Sequence, residues 1–290
     1  MHKRKLVISV AVLAILALGA KTKLPAYNAN TQQASDSEAY HSDRFNKRHF
    51  FKQSHQSTPH FTRSFSAKPF AYQNGKRKLV LGKLDDAGRA TGSHIQLKES
   101  QAPTAKRSAY LTVNPSGWHN YKFTYQGKTN WLFNRGHLVG YQFSGLNNCK
   151  QNLVTETMYL NQGSLKGMDQ SNDRAMLFYE NRLRKWMIQH PSCSLDYSVI
   201  PIYRENELVP RSVKLTFVGY NKRGGKMRIK MPTNQIKYMG NVGQVILKNS
   251  SPNATIDYAT GRAKIAGSKY KSWKNNENRK HFIVFTPQHK

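Results

Sequence analysis

The sequence has few acidic residues and lacks the usual zinc-binding motifs. Of its 290 residues, 15 are Asp or Glu and 46 are Lys or Arg, which gives a formal net charge of +31 at pH 7. No Cys-x-x-Cys or His-Glu-x-x-His motif occurs, so the sequence does not indicate a zinc site. The charge excess favours polyanionic partners such as nucleic acid, anionic lipid or an anionic cell-wall polymer. A basic exported protein without a specific partner stays open on charge alone.

The sequence also lacks a typical transmembrane segment near its start. The apolar run at 6–20 is shorter than the ~20 apolar residues that normally span a bilayer. Because this run follows a basic segment, residues 1–20 are typical of an export signal. Leu18 suits the −3 position of a cleavage site poorly, and no cysteine is present there for a lipid anchor. A cleaved signal peptide and a retained N-terminal anchor both stay open, and either predicts a secreted or cell-surface protein.

The rest of the chain divides into three segments by composition. Residues 21–74 are polar, aperiodic and poor in hydrophobic residues, which predicts a disordered linker. A folded domain is predicted from 75 to 262, where short hydrophobic segments alternate with turns. Residues 263–290 form a basic tail with interleaved aromatic residues, which could hold nucleic acid by charge and stacking or remain solvated.

The periodicity of the predicted domain indicates both strands and helices. Alternating segments bounded by turn residues predict strands at 76–82, 93–97, 109–113, 121–125, 197–203 and 213–218. Apolar residues at helical spacing predict a helix from about 172 to 190, ended by Pro191, and a shorter helix is predicted around 158–161. The expected fold class is therefore α+β, with a mixed, mainly antiparallel sheet and flanking helices.

The segment Asn134-Arg135-Gly136-His137 carries residue types suited to phosphodiester hydrolysis. Neutral imidazole, with an unperturbed pKa of about 6.5, can take a proton from water near pH 7. Arginine can grip a phosphate with two parallel hydrogen bonds, and glycine lets the backbone turn sharply and lets a substrate approach closely. Further along the chain, Asn161 offers a neutral oxygen for a hard cation.

In this order the residues resemble the DNA/RNA non-specific endonucleases of the ββα-metal (His-Me finger) superfamily, above all bacterial DNA-entry nucleases and streptodornase-type secreted DNases. Residues 134–137 match the Asp-Arg-Gly-His signature of that family, followed by Asn152-Leu153, then Asn161-Gln162 and a helical Glu180. The resemblance covers roughly 77–265. Asn134 departs from the signature, because many members carry aspartate there. We expect activity to survive this change, and local hydrogen bonding and the pH profile to be affected by it.

The resemblance implies a ββα-metal active-site element, formed by the two strands that precede and carry the signature and by the helix that bears Asn161. It also implies a role for each matching residue. His137 would be the general base. Asn161 would hold Mg²⁺, for which Mn²⁺ can substitute. Asn152 would orient the histidine or the metal shell, and Glu180 would order metal-bound water or Arg184.

The resemblance also suggests phosphate-binding arginines. Arg135 and Arg184 would clamp phosphate, whereas Arg107 is either a further phosphate-binding residue or a plain surface arginine. Glu180 and Arg184 lie four residues apart on one helical face, so an exposed ion pair is the alternative to a role at the scissile phosphate. The products would carry 5′-phosphate ends, and no small-molecule cofactor is implied.

Cys149 and Cys193 are the two cysteines of the chain, which is consistent with one disulfide in an exported protein. The bond would tie the segment after the signature to the segment after the long helix.

The expected function is hydrolysis of DNA outside the cytoplasm by a metal-dependent endonuclease with little sequence preference, and RNA stays open as a second substrate. The main alternative is a non-catalytic surface protein that binds DNA for capture or uptake. A second alternative is a basic protein that associates with membrane or with an anionic cell wall.

Overall fold

The computed structural model describes residues 60–62 and 65–266. The predicted export segment, most of the predicted linker and the tail from 267 onward lie outside the described residues. None of the helices within the described ranges is long and apolar enough to cross a membrane.

The described residues form sixteen strands and three α-helices. The strands are β1 (His60–Thr62), β2 (Lys78–Gly82), β3 (Ser93–Lys98), β4 (Lys122–Tyr125), β5 (Lys128–Trp131), β6 (Phe133–His137), β7 (Leu153–Thr157), β8 (Gly163–Ser164), β9 (Gly167–Met168), β10 (Ser194–Ile202), β11 (Ser212–Tyr220), β12 (Lys226–Met227), β13 (Lys237–Met239), β14 (Val242–Lys248), β15 (Ala254–Asp257) and β16 (Arg262–Ile265). The helices are α1 (Tyr141–Ser144), α2 (Met158–Gln162) and α3 (Met176–Gln189). Two short 3₁₀ helices cover Glu99–Gln101 and Lys150–Asn152.

Eight strands form one sheet in the order β1-β2-β3-β10-β11-β14-β13, with β12 beside β11. β1 runs parallel to β2, and the other pairings in this sheet are antiparallel. The remaining strands form the two-stranded ribbons β4-β5, β6-β7, β8-β9 and β15-β16. This arrangement confirms the predicted α+β fold with a mainly antiparallel sheet.

One face of the central sheet packs against α3 and forms the main core. Alternate residues of β10 and β11 point to this face, as the two-residue period of a strand requires. The buried residues of these strands in the core are Leu195, Tyr197, Val199, Val213, Leu215 and Phe217. Tyr179, Leu183 and Met187 of α3 pack into the same core at the helical spacing that predicted this helix. The helix ends two residues before Pro191, because proline cannot continue it.

The opposite face of the sheet carries a buried polar cluster that holds the chain segment at 70–73. Asp196 accepts hydrogen bonds from His94 Nε2 (2.7 Å), Gln96 Nε2 (2.9 Å) and the backbone N–H of Phe70 (3.2 Å). The Phe70 ring stacks on His94 with ring centroids 3.5 Å apart, and the N–H of Gln73 donates to Gln96 Oε1 at 2.7 Å. A buried carboxylate is tolerated when donors surround it, so this cluster fixes the segment to the sheet.

The folded structure extends beyond the predicted bounds of 75–262 at both ends. Strand β1 and the segment at 70–73 belong to the fold, although they fall in the predicted linker. At the other end, β16 pairs with β15, and the side chain of Ile265 is fully buried beside Phe123 and Leu132. Strand β1 and the segment at 70–73 are held by strand pairing and by hydrogen bonds from residues far along the chain, which a hydrophobic pattern does not reveal.

The prediction of a strand at 109–113 is wrong, because these residues form no strand in the structure. Asn148 Oδ1 accepts the backbone N–H groups of Thr112 (3.1 Å) and Val113 (3.0 Å), in place of a neighbouring strand. Tyr110 in the same segment is 78% exposed. The side chain of Asn148, which lies in a distant loop, therefore satisfies the backbone N–H groups of a segment that the alternation of its sequence had assigned to a strand.

The predicted Cys149–Cys193 disulfide is also wrong, because both cysteines are free thiols. The Cys149 thiol donates to Gln151 Oε1 at 3.3 Å, while Cys193 Sγ lies 3.7 Å from Met227 Sδ. Cys193 is buried in the main core, where a free thiol behaves as a small hydrophobic side chain and needs no covalent partner.

Replacing Asp196 with alanine is expected to destabilise the fold by about 3 kcal/mol, because the buried donors of His94 and Gln96 would lose their acceptor. Denaturant unfolding measures this change. The control is Asp86→Ala, an exposed carboxylate after β2, which is expected to change the unfolding free energy by less than about 0.5 kcal/mol. Equal losses in the two variants would contradict the role of the cluster.

Candidate active site

The β6–β7 hairpin and helix α2 form a ββα element that carries the predicted signature. The two strands are antiparallel, with Asn134 opposite Glu156 and His137 opposite Leu153. Helix α2 follows β7 directly and packs on both strands. Its start is capped by Thr157, whose Oγ1 accepts the backbone N–H of Leu160 at 3.0 Å. The hairpin and the helix are therefore held as one unit at the site.

His137 ends β6 and is 8% exposed. Its Nε2 lies 2.9 Å from the carbonyl oxygen of Asn147. A carbonyl can only accept, so Nε2 carries the proton and Nδ1 presents its lone pair. The pKa of His137 is lowered to about 4, chiefly by burial and also by the charge of Arg107, while the carbonyls of Asn147 and Leu146 oppose the shift. The imidazole is therefore neutral at pH 7, in the form that a general base requires.

Asn152 is fully buried and holds the backbone that follows His137. Its Oδ1 accepts the N–H of Val139 at 3.1 Å, and its Nδ2 donates to the carbonyl of the same residue at 3.0 Å. The backbone carbonyl of Asn152 also accepts the N–H of Leu138. Both polar atoms of the side-chain amide are thus used in hydrogen bonds to the loop after the histidine. Of the two predicted roles, orientation of the histidine and orientation of the metal shell, this geometry favours the first.

Glu180 of α3 reaches the same loop. Its Oε1 accepts the backbone N–H of Gly140 at 3.0 Å and lies 3.4 Å from the hydroxyl of Tyr197. Burial raises the pKa of Glu180 to about 7, and the N–H of Gly140, the side chains of Gln142 and Tyr197 and the charge of Arg107 limit the rise. A carboxyl group with a pKa near 7 at a partly buried site is typical of functional positions.

Arg184 does not pair with Glu180. Its Nη2 donates to Glu99 Oε1 at 3.0 Å, and no ion pair joins Arg184 to Glu180 among the described residues. The alternative of an exposed Glu180–Arg184 ion pair is therefore wrong. The Nη1 group of Arg184 is buried and lacks a hydrogen-bond partner within the described structure, so its two N–H groups have no protein acceptor.

Arg135 is held against a loop beside the hairpin. Its Nε and Nη2 donate to Asn114 Oδ1 at 3.0 and 2.8 Å, and its guanidinium lies 4.4 Å from the ring centroid of Trp118. Arg107, in contrast, is exposed, and its charge lowers the pKa values of both His137 and Glu180. The structure thus brings Arg107 close to the predicted base, whereas Arg135 is already engaged.

Asn161 lies in α2, which packs on the strand that carries His137. Its side-chain amide has no hydrogen-bond partner among the described residues, although it is partly buried. No group of three or more His, Cys, Asp or Glu side chains in the described ranges could hold a metal ion. A hard cation at this site would therefore rest on the Asn161 oxygen together with water and substrate oxygens, and an uncommitted amide oxygen fits that requirement.

Glu156 of β7, opposite Asn134, is a buried acidic residue behind the site that the sequence did not single out. It is fully buried, and neither carboxylate oxygen has a hydrogen-bond partner within the described structure. Burial, followed by the charge of Glu180, raises its pKa well above the usual range. A Cβ atom placed on Gly136 would lie 2.0 Å from Glu156 Oε2. One available signal was a glutamate within the otherwise hydrophobic and threonine-rich strand β7.

This contact changes the interpretation of Gly136. The residue lies within the extended strand β6 and is not among the glycines with positive φ, so the sharp turn expected there is absent. The lack of a side chain instead makes room for the Glu156 carboxyl group.

The comparisons with known proteins point to nucleases. The family model described as DNA/RNA non-specific endonuclease matches residues 70–219. A solved structure named extracellular endonuclease is 40% identical, with a TM-score of 0.58, covering 69% of this chain and 91% of that chain. A second, named extracellular nuclease, is 39% identical, with a TM-score of 0.57, covering 69% of this chain and 99% of that chain. A comparison with curated proteins gives no match.

The His137 imidazole is expected to titrate near pH 4, which ¹⁵N NMR of histidine-labelled protein measures, with His137→Gln used to assign the signal. The folded pKa lies below the unfolded value of about 6.5, so the unfolded chain binds the proton more readily between these values. This group therefore removes stability as the pH falls through that window. A midpoint near 6.5, or a neutral ring protonated on Nδ1, would contradict the burial and the Asn147 contact.

Proposed function

The chain belongs to the DNA/RNA non-specific endonuclease family, and we propose that it hydrolyses phosphodiester bonds of DNA with His137 as the general base. The observation that carries this proposal is the 2.9 Å contact between His137 Nε2 and the carbonyl oxygen of Asn147. This contact leaves Nδ1 as the acceptor for a proton from water. Proton transfer by a positioned histidine contributes roughly 10²- to 10⁴-fold to the rate of such reactions.

Asn161 would hold a divalent cation, Mg²⁺ or in its place Mn²⁺, through its uncommitted side-chain oxygen. When bound, the cation supplies positive charge that stabilises the crowded oxygens of the reacting phosphate and the leaving 3′-oxygen. Helix α2 fixes the position of Asn161 relative to the β6 strand, which supports placing the cation beside the histidine.

Arg107 and Arg184 are the residues we assign to the phosphate. Arg107 is exposed and close enough to lower the pKa of His137, and Arg184 retains a donor without a partner. Arg135 would bind the phosphate once its guanidinium releases Asn114, or while it donates to both Asn114 and the phosphate. Glu180 would hold Gly140 and order water near the cation, a role that requires its ionised form.

Cleavage with little sequence preference follows from contacts of this kind, because phosphate groups carry no direct information about base sequence. The net charge of +31 supports binding to long polyanions. DNA is the proposed substrate, RNA is a second substrate of the same chemistry, and the products would carry 5′-phosphate ends.

We also propose that the enzyme acts outside the cytoplasm. Residues 1–20 have the pattern of an export signal or anchor, and both similar solved structures are named as extracellular proteins. Residues 21–59 and the tail after 266 would then carry basic charge that can retain the enzyme at a membrane or an anionic cell wall.

Plasmid digestion tests the proposed base. Residues 21–290 are expected to cut plasmid DNA with Mg²⁺ and to stop with EDTA, and His137→Ala should lower the rate by at least about 100-fold. DNA binding in gel shifts, and its salt dependence, should stay nearly unchanged because the imidazole is neutral.

The matched control is His190→Ala, which removes a histidine after the C-terminal end of α3, outside the site. It should keep full activity. A wild-type protein that shifts DNA but never cuts it with Mg²⁺ or Mn²⁺ would favour the DNA-capture alternative.

Asn161→Ala tests the cation site. The metal concentration for half-maximal cleavage should rise by at least about tenfold, as expected when a metal loses a contributing ligand group. Asn241→Ala, in the exposed turn between β13 and β14, is the control. An unchanged metal requirement would remove Asn161 from the proposed site.

A further inference from the structure

The geometry points to Glu156 and Asn134 as a carboxyl–amide pair behind His137 that positions strand β6 for catalysis. This inference rests on the proposed function, because it concerns the strand that carries the proposed base. Both residues act through the strand and would not touch the substrate, so they are positioning residues.

The hairpin register brings the two side chains together. Asn134 on β6 is directly opposite Glu156 on β7. Residues directly opposite each other on antiparallel strands have Cβ atoms about 5 Å apart and point to the same face. Successive side chains of a strand point to opposite faces, so Asn134 and Gly136 share one face, while His137 lies on the other. The pair therefore supports the strand from behind the imidazole.

The two side chains also complement each other chemically. Asn134 Nδ2 is a buried donor without a partner, and both oxygens of Glu156 are buried acceptors without partners. A carboxylic acid and a primary amide can form two parallel hydrogen bonds, in which each group both donates and accepts. Small side-chain rotations in this register would join the unsatisfied groups, and buried polar groups rarely remain unpaired.

The glutamate is closely coupled to the peptide that precedes the base. Its carboxyl group occupies the space that a side chain at Gly136 would need, since a Cβ there would lie 2.0 Å from Oε2. A change in the position or charge of this group therefore displaces the backbone of residue 136, and with it the neighbouring His137.

The surroundings of Glu156 favour its protonated form. Burial raises its pKa, and the acidic neighbour that acts on it is Glu180 of α3. Burial raises the pKa values of Tyr197 of β10 and of Tyr203, and Glu156 is among the acidic neighbours of both phenols. An aspartate at position 134 would place a second acid against this buried group. This chain has the amide on β6 and the carboxyl group on β7.

Exchange of the two groups tests the pair. The variants are N134D, E156Q and the double variant N134D/E156Q, which moves the carboxyl group to β6 and the amide to β7. E156Q should keep kcat within threefold of wild type, because glutamine preserves the neutral shape. At pH 8, N134D should lose at least tenfold in kcat with KM little changed, and the double variant should recover to within threefold. Asn241→Asp is the charge-matched control and should change kcat less than twofold.

The ¹⁵N shifts of the His137 ring provide a readout that does not depend on cleavage. N134D should move these shifts, and the double variant should restore them. If the wild type never cuts DNA, the proposed function fails, while the shifts still test the pair.

Additive effects of the two changes, on kcat and on the ring shifts, would overturn the inference. So would a tenfold loss of kcat in E156Q alone. If N134D does not fold, a folded and active double variant supports the pair, whereas a double variant that is equally unfolded overturns it.

Discussion

The backbone from His137 to Gly140 is held by buried or partly buried polar groups, and the chemistry of the site depends on this restraint. The carbonyl of Asn147 holds the imidazole, the Asn152 amide grips Val139 on both its N–H and its carbonyl, and Glu180 accepts the N–H of Gly140. Each hydrogen bond contributes about 1 kcal/mol net. Their larger effect is geometric, because a base displaced by about 1 Å loses much of its effect on the rate.

Burial has a larger effect than the net charge of the protein on the pKa values of the carboxyl groups behind the site. In a chain with a net charge of +31, a general positive potential would lower the pKa values of acidic groups. Glu156 and Glu180 instead have raised pKa values, and burial is the leading cause for both. The desolvation penalty acts on the group itself, whereas surface charges at a distance are screened by solvent and salt. Burial therefore outweighs the positive charge at both carboxyl groups, although the charge of Arg107 limits the rise for Glu180.

The sequence predicted the parts of the fold that depend on local pattern. The period of α3, its end before Pro191 and the alternation in β10 and β11 follow from which side chains are buried. The family resemblance also predicted a ββα element whose helix bears Asn161. It placed the second strand before the signature, whereas the structure has it after the signature, at β7. Each of these features can be predicted from a short segment of the sequence.

The predictions that failed concern features that depend on contacts between residues far apart in the chain. Asn148 accepts hydrogen bonds from the backbone of the segment at 109–113, and Arg184 forms an ion pair with Glu99 and not with Glu180. The Asp196 cluster fixes the segment at 70–73 from strands more than twenty residues away. The role of Gly136 was misassigned because the side chain it accommodates belongs to the next strand. Local periodicity contains no information about such partners.

The polar groups that remain unsatisfied at the site are themselves informative. Most buried polar groups in a folded protein find partners, and the exceptions among the described residues occur both at the site and elsewhere, for example at Ser93 and Thr216. His137 Nδ1 and the Asn161 amide have no partner within the described structure, and Nη1 of Arg184 is a buried donor without one. An attacking water, a hard cation and a phosphate oxygen would satisfy these groups in turn. The proposed substrate, a nucleic-acid phosphodiester with its cation, would supply all of these groups together, whereas a purely apolar ligand would leave at least the arginine unpaired.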